Sequence, residues 1–123
     1  MQKVLIIDDE TAIQMLLENY LGSQGFDVVT VSSSKEGVEQ FQSEKDGIEC
    51  AIVDHALPDE GGIQTVAKLR EINPDLPVLL VSGAEDSRIL DFVDENPKTE
   101  YLNKPFDMGD LLNTLKSLLN SDG

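Results

Sequence analysis

The chain has 123 residues, 40% of them hydrophobic and 27% charged, which suits one domain, residues 1–123, with a single core. Its 9 basic and 24 acidic residues leave a net charge of −15. A surface that negative repels nucleic-acid phosphates and anionic lipid, which excludes both as leading partners.

The elements alternate along the chain. Val4-Leu5-Ile6-Ile7 is a continuous branched run, as expected of a strand buried on both faces. It ends at Asp8-Asp9-Glu10, so the opening Met1-Gln2-Lys3 does not lead into a secretion signal. From Thr11 to Gln24, Ile13, Leu16, Leu17, Tyr20 and Leu21 recur at helical spacing, and Gly25 is the stop. Asp27 to Val31 reads as the second strand. Ser34 opens a helix carrying Val38 and Phe41 that closes near Asp46-Gly47. Ile48 to Val53 is the third strand and ends on Asp54. Its Cys50 has no internal disulfide partner; it reads as a small core residue and fits a reducing compartment.

Pro58 to Gly62 is turn chemistry. Ile63, Val66, Ala67 and Leu69 form the next helical face, ended by Asn73-Pro74. Val78 to Val81 is a fourth buried strand, broken at Ser82-Gly83. Ile89, Phe92 and Val93 mark a helix stopped before Pro97. Thr99 to Leu102 is a short fifth strand, and Leu111, Leu112, Leu115, Leu118 and Leu119 stripe a last helix. No run approaches the roughly 20 apolar residues that span a bilayer. Five strand–helix units in strict alternation predict an α/β fold, a parallel sheet with helices on both faces. Right-handed crossovers then put every strand's carboxyl end on one edge, where such sheets bind ligands.

That edge collects Asp8, Asp9, Glu10, Asp54, Ser82 and Lys104. Each has an ordinary reading alone. Asp9 and Glu10 would favour the following helix N-terminus by about 0.3–1 kcal/mol. Asp54 would suit a turn and Lys104 a solvated surface. Jointly they call for another explanation, because turn chemistry does not require carboxylates, a hydroxyl and an ammonium together. Clustered carboxylates repel and raise one another's pKa, and a hard divalent cation relieves this. Magnesium suits the set, since it takes few carboxylates, keeps several waters and bridges to phosphate oxygens. Lys104 adds a fixed positive charge and Ser82 a donor. His55, the only histidine, points away from Asp54 on an extended chain and is not expected to act as base or ligand.

At these residues the chain resembles the receiver domain of bacterial two-component response regulators. The resemblance runs from Lys3 to Leu119. It rests on Asp8-Asp9, the strand-ending Asp54, Pro58 and Gly62 after it, Ser82, Tyr101, and Lys104-Pro105-Phe106. It implies a doubly wound sheet of strand order 2-1-3-4-5, flavodoxin-like in architecture. It implies a signalling domain rather than an enzyme, one that catalyses only its own phosphorylation and slow dephosphorylation. Asp54 would take phosphoryl from a phosphohistidine of a histidine kinase or phosphotransfer protein. Asp9, assisted by Asp8, would hold Mg2+ (or Mn2+) with Asp54 and the backbone carbonyl of Ala56. Lys104 would neutralise phosphoryl oxygens, Ser82 would donate to the product, and Tyr101 would fill the space its loop vacates. The surface of the fourth helix, fifth strand and fifth helix would be switched by these movements. The Lys104–Pro105 bond would be cis.

The resemblance also implies a cytoplasmic setting. It allows an output domain or downstream protein and a weak homodimer. Ala56 and Ala84, two residues after Asp54 and Ser82, offer an attacking water no partner, so a long-lived phosphoryl group is expected. The chain departs from the family in Ser82 for the commoner threonine, Gly83 for a frequent alanine, and Glu95-Asn96-Pro97-Lys98 before the fifth strand. Other readings of the edge are weaker. A phosphohydrolase with an aspartyl nucleophile needs an acid at position 56, which is alanine. A flavin phosphate needs backbone donors after the first strand, where three acids stand. A docking module without phosphoryl chemistry would not need the full set of side chains.

Overall fold

Branched apolar runs place the inner strands, and segments with apolar residues at helical spacing place the helices. The computed structural model describes residues 2–44, 46–83 and 86–120. The order is β1 (Lys3–Ile7), α1 (Thr11–Ser23), β2 (Asp27–Val31), α2 (Ser34–Glu44), β3 (Ile48–Asp54), α3 (Gly62–Ile72), β4 (Val78–Ser82), α4 (Ser87–Glu95), β5 (Thr99–Asn103) and α5 (Met108–Asn120). The strands form one parallel sheet in the order β2-β1-β3-β4-β5.

Side-chain alternation divides the core in two. Val4, Ile6, Cys50, Ile52, Leu79 and Val81 face α1 and α5, where they meet Leu17, Leu21, Leu111, Leu115 and Leu118. Leu5, Ile7, Ala51, Val53, Val78 and Leu80 face the other way, onto Phe41, Val66, Leu69 and Ile89 of α2, α3 and α4. Because the sheet is covered on both faces, its central strands are continuously apolar through their middles, over residues 4–7, 50–53 and 78–81. Cys50 is a free, buried thiol whose pKa burial pushes up to about 12. Among the described residues no helix is long and apolar enough to cross a membrane.

Three details differ from the sequence expectation. Leu16 is 48% exposed, because Leu17 beside it takes the inward position and a helix turns about 100° per residue. Ala67 is exposed, whereas Thr65 is buried. The Thr65 hydroxyl lies 2.9 Å from the Gly61 carbonyl and 2.8 Å from the Ser34 hydroxyl, so its burial leaves no orphaned group. Helix α2 ends at Glu44, before Asp46-Gly47. At the end of α1, Gly25 has φ of 94°, the left-handed conformation that glycine adopts without strain.

Candidate functional site

The carboxyl edge of the sheet brings together residues that lie far apart in sequence. Asp8 follows β1, Asp54 ends β3, Ser82 ends β4, and Lys104 follows β5. Parallel register sets their level. Asp54 pairs with Val81, and Ser82 with Asn103. The Lys104 amide then donates to the Ser82 carbonyl at 2.7 Å.

One carboxylate oxygen each from Asp8, Glu10 and Asp54 lies within 4.8 Å of the others. The Lys104 ammonium sits among them, 3.1 Å from Asp8 Oδ2, 2.8 Å from Glu10 Oε1 and 3.4 Å from Asp54 Oδ2. Asp8 and Asp54 are almost wholly buried, their side chains 5% and 4% exposed, while that of Glu10 is 57% exposed. One ammonium therefore answers three carboxylates, two of them removed from water. Burial raises the Asp8 pKa; the Glu10 amide opposes that, and the charge of Asp54 adds to it. For Lys104, burial works downward but is outweighed by hydrogen bonds to Glu10 and Asp8 and by the charges of Asp8 and Asp54, so its pKa is raised. A buried carboxylate pair in negative excess, with oxygen donors only, fits a hard divalent cation.

Asp9 is exposed and stands outside this trio. The chain bends at Asp9, and Glu10 beyond it is extended, at φ −86° and ψ 110°. The bend sets the Glu10 carboxylate beside Asp8 and Lys104. Strand-end position alone assigns Glu10 no role in the chemistry.

Backbone groups finish the arrangement. The Asp8 carboxylate accepts from the Glu10 amide at 2.9 Å, and Asp54 Oδ1 accepts from the Ala56 amide at 3.2 Å. Gln14, a polar helix residue that no sequence motif singles out, donates from α1 to the Asp8 carbonyl at 2.5 Å and the Val31 carbonyl at 3.1 Å. It holds the Asp8 turn against β2. The loop after Asp54 is folded back by an Ala56–Gly61 bridge and by the Gly62 amide on the His55 carbonyl at 3.0 Å. A Cβ on Gly62 would stand 2.8 Å from the His55 Cα, so only glycine permits this close return.

The His55 side chain leads away from the carboxylates, toward α4. Its Nε2 is 3.8 Å from Asp86 Oδ2, and its Nδ1 is buried without a hydrogen-bond partner among the described residues. Ser82 is buried at the end of β4. Tyr101 is half-buried against the α4 side of the core, and its hydroxyl donates to Asn103 Oδ1 at 3.2 Å. The Lys104–Pro105 peptide bond is cis. Beyond it, Ile13, Leu16, Pro105, Phe106 and Met108 line an apolar groove that has Glu10 and Lys104 at its polar end. Ala84 lies outside the described residues.

Comparison with known proteins agrees with this geometry. The family model described as response regulator receiver domain matches residues 4–116. The transcriptional regulatory protein SrrA of Staphylococcus aureus is 32% identical over 119 residues, covering 95% of this chain and 47% of SrrA. The chain thus spans about half the length of the curated relatives it matches. A response regulator receiver domain protein from Clostridium thermocellum superposes with a TM-score of 0.90 at 29% identity, over 98% of this chain and 95% of that one. The chemotaxis protein CheY4 of Vibrio cholerae gives 0.87 at 25% identity, over 96% and 98%.

Proposed function

The chain belongs to the response regulator receiver domain family, the phosphoacceptor modules of two-component signalling, and from that premise we propose that Asp54 is the residue that takes the phosphoryl group. The observation that carries this is the buried Asp54 carboxylate facing the Lys104 ammonium at 3.4 Å beside a second buried carboxylate, Asp8. The whole chain, residues 1–123, is read as one receiver domain.

Asp54 attacks phosphorus with a carboxylate oxygen, the phosphorus–nitrogen bond of a donor phosphohistidine breaks, and the imidazole leaves with the electron pair. The donor is a histidine kinase or phosphotransfer protein. The Ala56 amide, bonded to Asp54 Oδ1, leaves the other oxygen to react and fixes its direction. The Lys104 ammonium, already among the carboxylates, turns to the oxygens of the incoming phosphoryl group. Ser82 donates its hydroxyl to the product, and its loop and Tyr101 follow, switching the α4–β5–α5 surface.

Mg2+ or Mn2+ would be held by Asp8, Asp9 and Asp54 with the carbonyl of Ala56. When bound, it neutralises phosphoryl charge. Glu10 belongs with Lys104, to which its exposed carboxylate is bonded at 2.8 Å. Ala56 and Ala84 leave the product's hydrolysis without a positioned side chain, so the phosphoryl group turns over slowly. We read the domain as cytoplasmic, the setting its resemblance to response regulators supports. An output segment, downstream protein or weak homodimer would receive the signal, as the greater length of the curated relatives suggests.

Intact-mass measurement after treatment with acetyl phosphate and Mg2+ tests the assignment. One added phosphoryl group is expected in the parent chain, and none in Asp54→Asn or in EDTA. Full yield in either control would refute it. In Ser82→Ala, phosphorylation should persist while the exchange change at Tyr101 disappears; an unchanged amide-exchange response would remove Ser82 from the switch.

A further inference from the structure

Helix α2 begins with amides that its own turns cannot satisfy. Its first internal bond runs from the Gly37 amide to the Ser33 carbonyl at 3.0 Å, and the Glu36 amide before it donates to the Ser33 hydroxyl at 3.2 Å. The amides of Ser34 and Lys35 are taken by a carboxylate from another part of the chain. Ser34 N–H donates to Asp59 Oδ1 at 2.9 Å, and Lys35 N–H donates to Asp59 Oδ2 at 3.0 Å. Those amides, Ser34 first and then Lys35, hold the Asp59 carboxyl below its ordinary pKa, so it meets the positive end of α2 ionised.

Asp59 lies in the 55–61 loop, the loop that leaves Asp54. Its neighbour Glu60 accepts from the Ser34 hydroxyl at 3.1 Å and from Lys68 of α3 at 2.8 Å. At its next turn α2 is pinned to β1, because a Cβ on Gly37 would collide with the side chain of Ile7, the residue before Asp8. The strand ends bearing Asp8 and Asp54 are therefore braced against each other through α2. Asp59 is the carboxylate that closes the brace.

We propose that Asp59 is a positioning residue of the phosphoacceptor site: by fastening the 55–61 loop to the first turn of α2, it fixes the Ala56 backbone that aims Asp54 and sets the site's affinity for a divalent cation. This rests on the reading of Asp54 and its neighbours as the phosphoacceptor and cation site. A carboxylate that only capped α2 would affect melting and nothing at Ala56. The amide of Ala56, bonded to Asp54 Oδ1 at 3.2 Å, reports the difference without any metal.

Two measurements on the folded chain test it: calorimetric titration with Mg2+, and metal-free amide exchange at Ala56. Asp59→Ala should raise the Mg2+ Kd about tenfold, the scale of lost outer-shell support, and should speed exchange at Ala56. Asp59→Asn keeps one acceptor oxygen and should fall between parent and Asp59→Ala; it carries the test if the alanine variant does not fold. Ser33→Ala removes the other cap of α2 and should lower the melting temperature while leaving both readouts at parental values. Parental Kd and exchange in the Asp59 variants, or equal changes in Ser33→Ala, would overturn the proposal. A parent chain that binds no Mg2+ would overturn the phosphoacceptor reading itself, even if Ala56 exchange still followed Asp59.

Discussion

At the amino edge of the sheet, Lys3 pairs with Glu44 at 2.7 Å and Asp27 at 3.7 Å, both partly open to water. There too, Arg70 donates to the carbonyls of Leu76 and Lys98 and to the Thr99 hydroxyl, at 2.7 to 3.2 Å. At the carboxyl edge, Asp8, Glu10 and Asp54 share the single ammonium of Lys104, and two of the three carboxylates are buried. The amino edge matches its charges with partly exposed opposite charges or with neutral acceptors, as a structural edge does. The other holds buried negative charge in excess, which a divalent cation would relieve. Charge at a sheet edge is thus not itself the mark of function. Burial without matching is.

Breaking the carboxyl edge should give the largest effect. Lys104→Met should slow phosphorylation by acetyl phosphate about 100-fold, the scale of one lost charge-stabilising donor. It should also tighten Mg2+ binding, because the ammonium lies among the carboxylates a cation would take. Quench-flow with intact-mass detection and calorimetry check the two parts. A parental rate would show that Lys104 only balances charge.

Breaking the amino edge should cost stability alone. Arg70→Ala leaves the Leu76 and Lys98 carbonyls without their guanidinium donor, a loss of about 2 kcal/mol. Urea unfolding should show it, with a phosphorylation rate within about twofold of the parent. A large fall in rate at full folding would tie the two edges together and contradict the division.

The smallest effect has the opposite sign. The Asp8 carboxyl has a raised pKa, so the fold disfavours its ionised form at neutral pH. The neutral isostere in Asp8→Asn should therefore raise metal-free stability by on the order of 1 kcal/mol and abolish the gain in melting temperature on adding Mg2+. A destabilised, still Mg2+-responsive variant would place Asp8 on the structural side of the comparison.

Most of this organisation is legible in the sequence, because it rests on local signals. Continuous branched runs mark the strands, and the alternation of elements implies a parallel sheet with the strand-ending residues on one edge. What escapes depends on tertiary choice. Leu16 and Leu17 are adjacent on α1, and nothing local says which turns inward. Thr65 displaces Ala67 from the core because Ser34, 31 residues earlier, lies against its hydroxyl. Asp59 reads as a loop acid until the fold brings the start of α2, 25 residues earlier in the chain, against its carboxylate. Glu10 joins them: a bend at Asp9 sets it beside Asp8, and strand alternation does not foretell that.

The most direct test is a calorimetric titration with Mg2+ of the parent chain, Asp8→Asn, Asp9→Ala, Glu10→Ala and Lys3→Met under one set of conditions. One ion per parent chain is predicted, with binding lost in Asp8→Asn and Asp9→Ala, retained in Glu10→Ala, and unchanged when the amino edge is cut by Lys3→Met. No binding heat and no competition with Mn2+ in the parent chain, or loss of binding in Lys3→Met, would contradict the claim that the buried carboxylates of the carboxyl edge are a cation-assisted phosphoacceptor site.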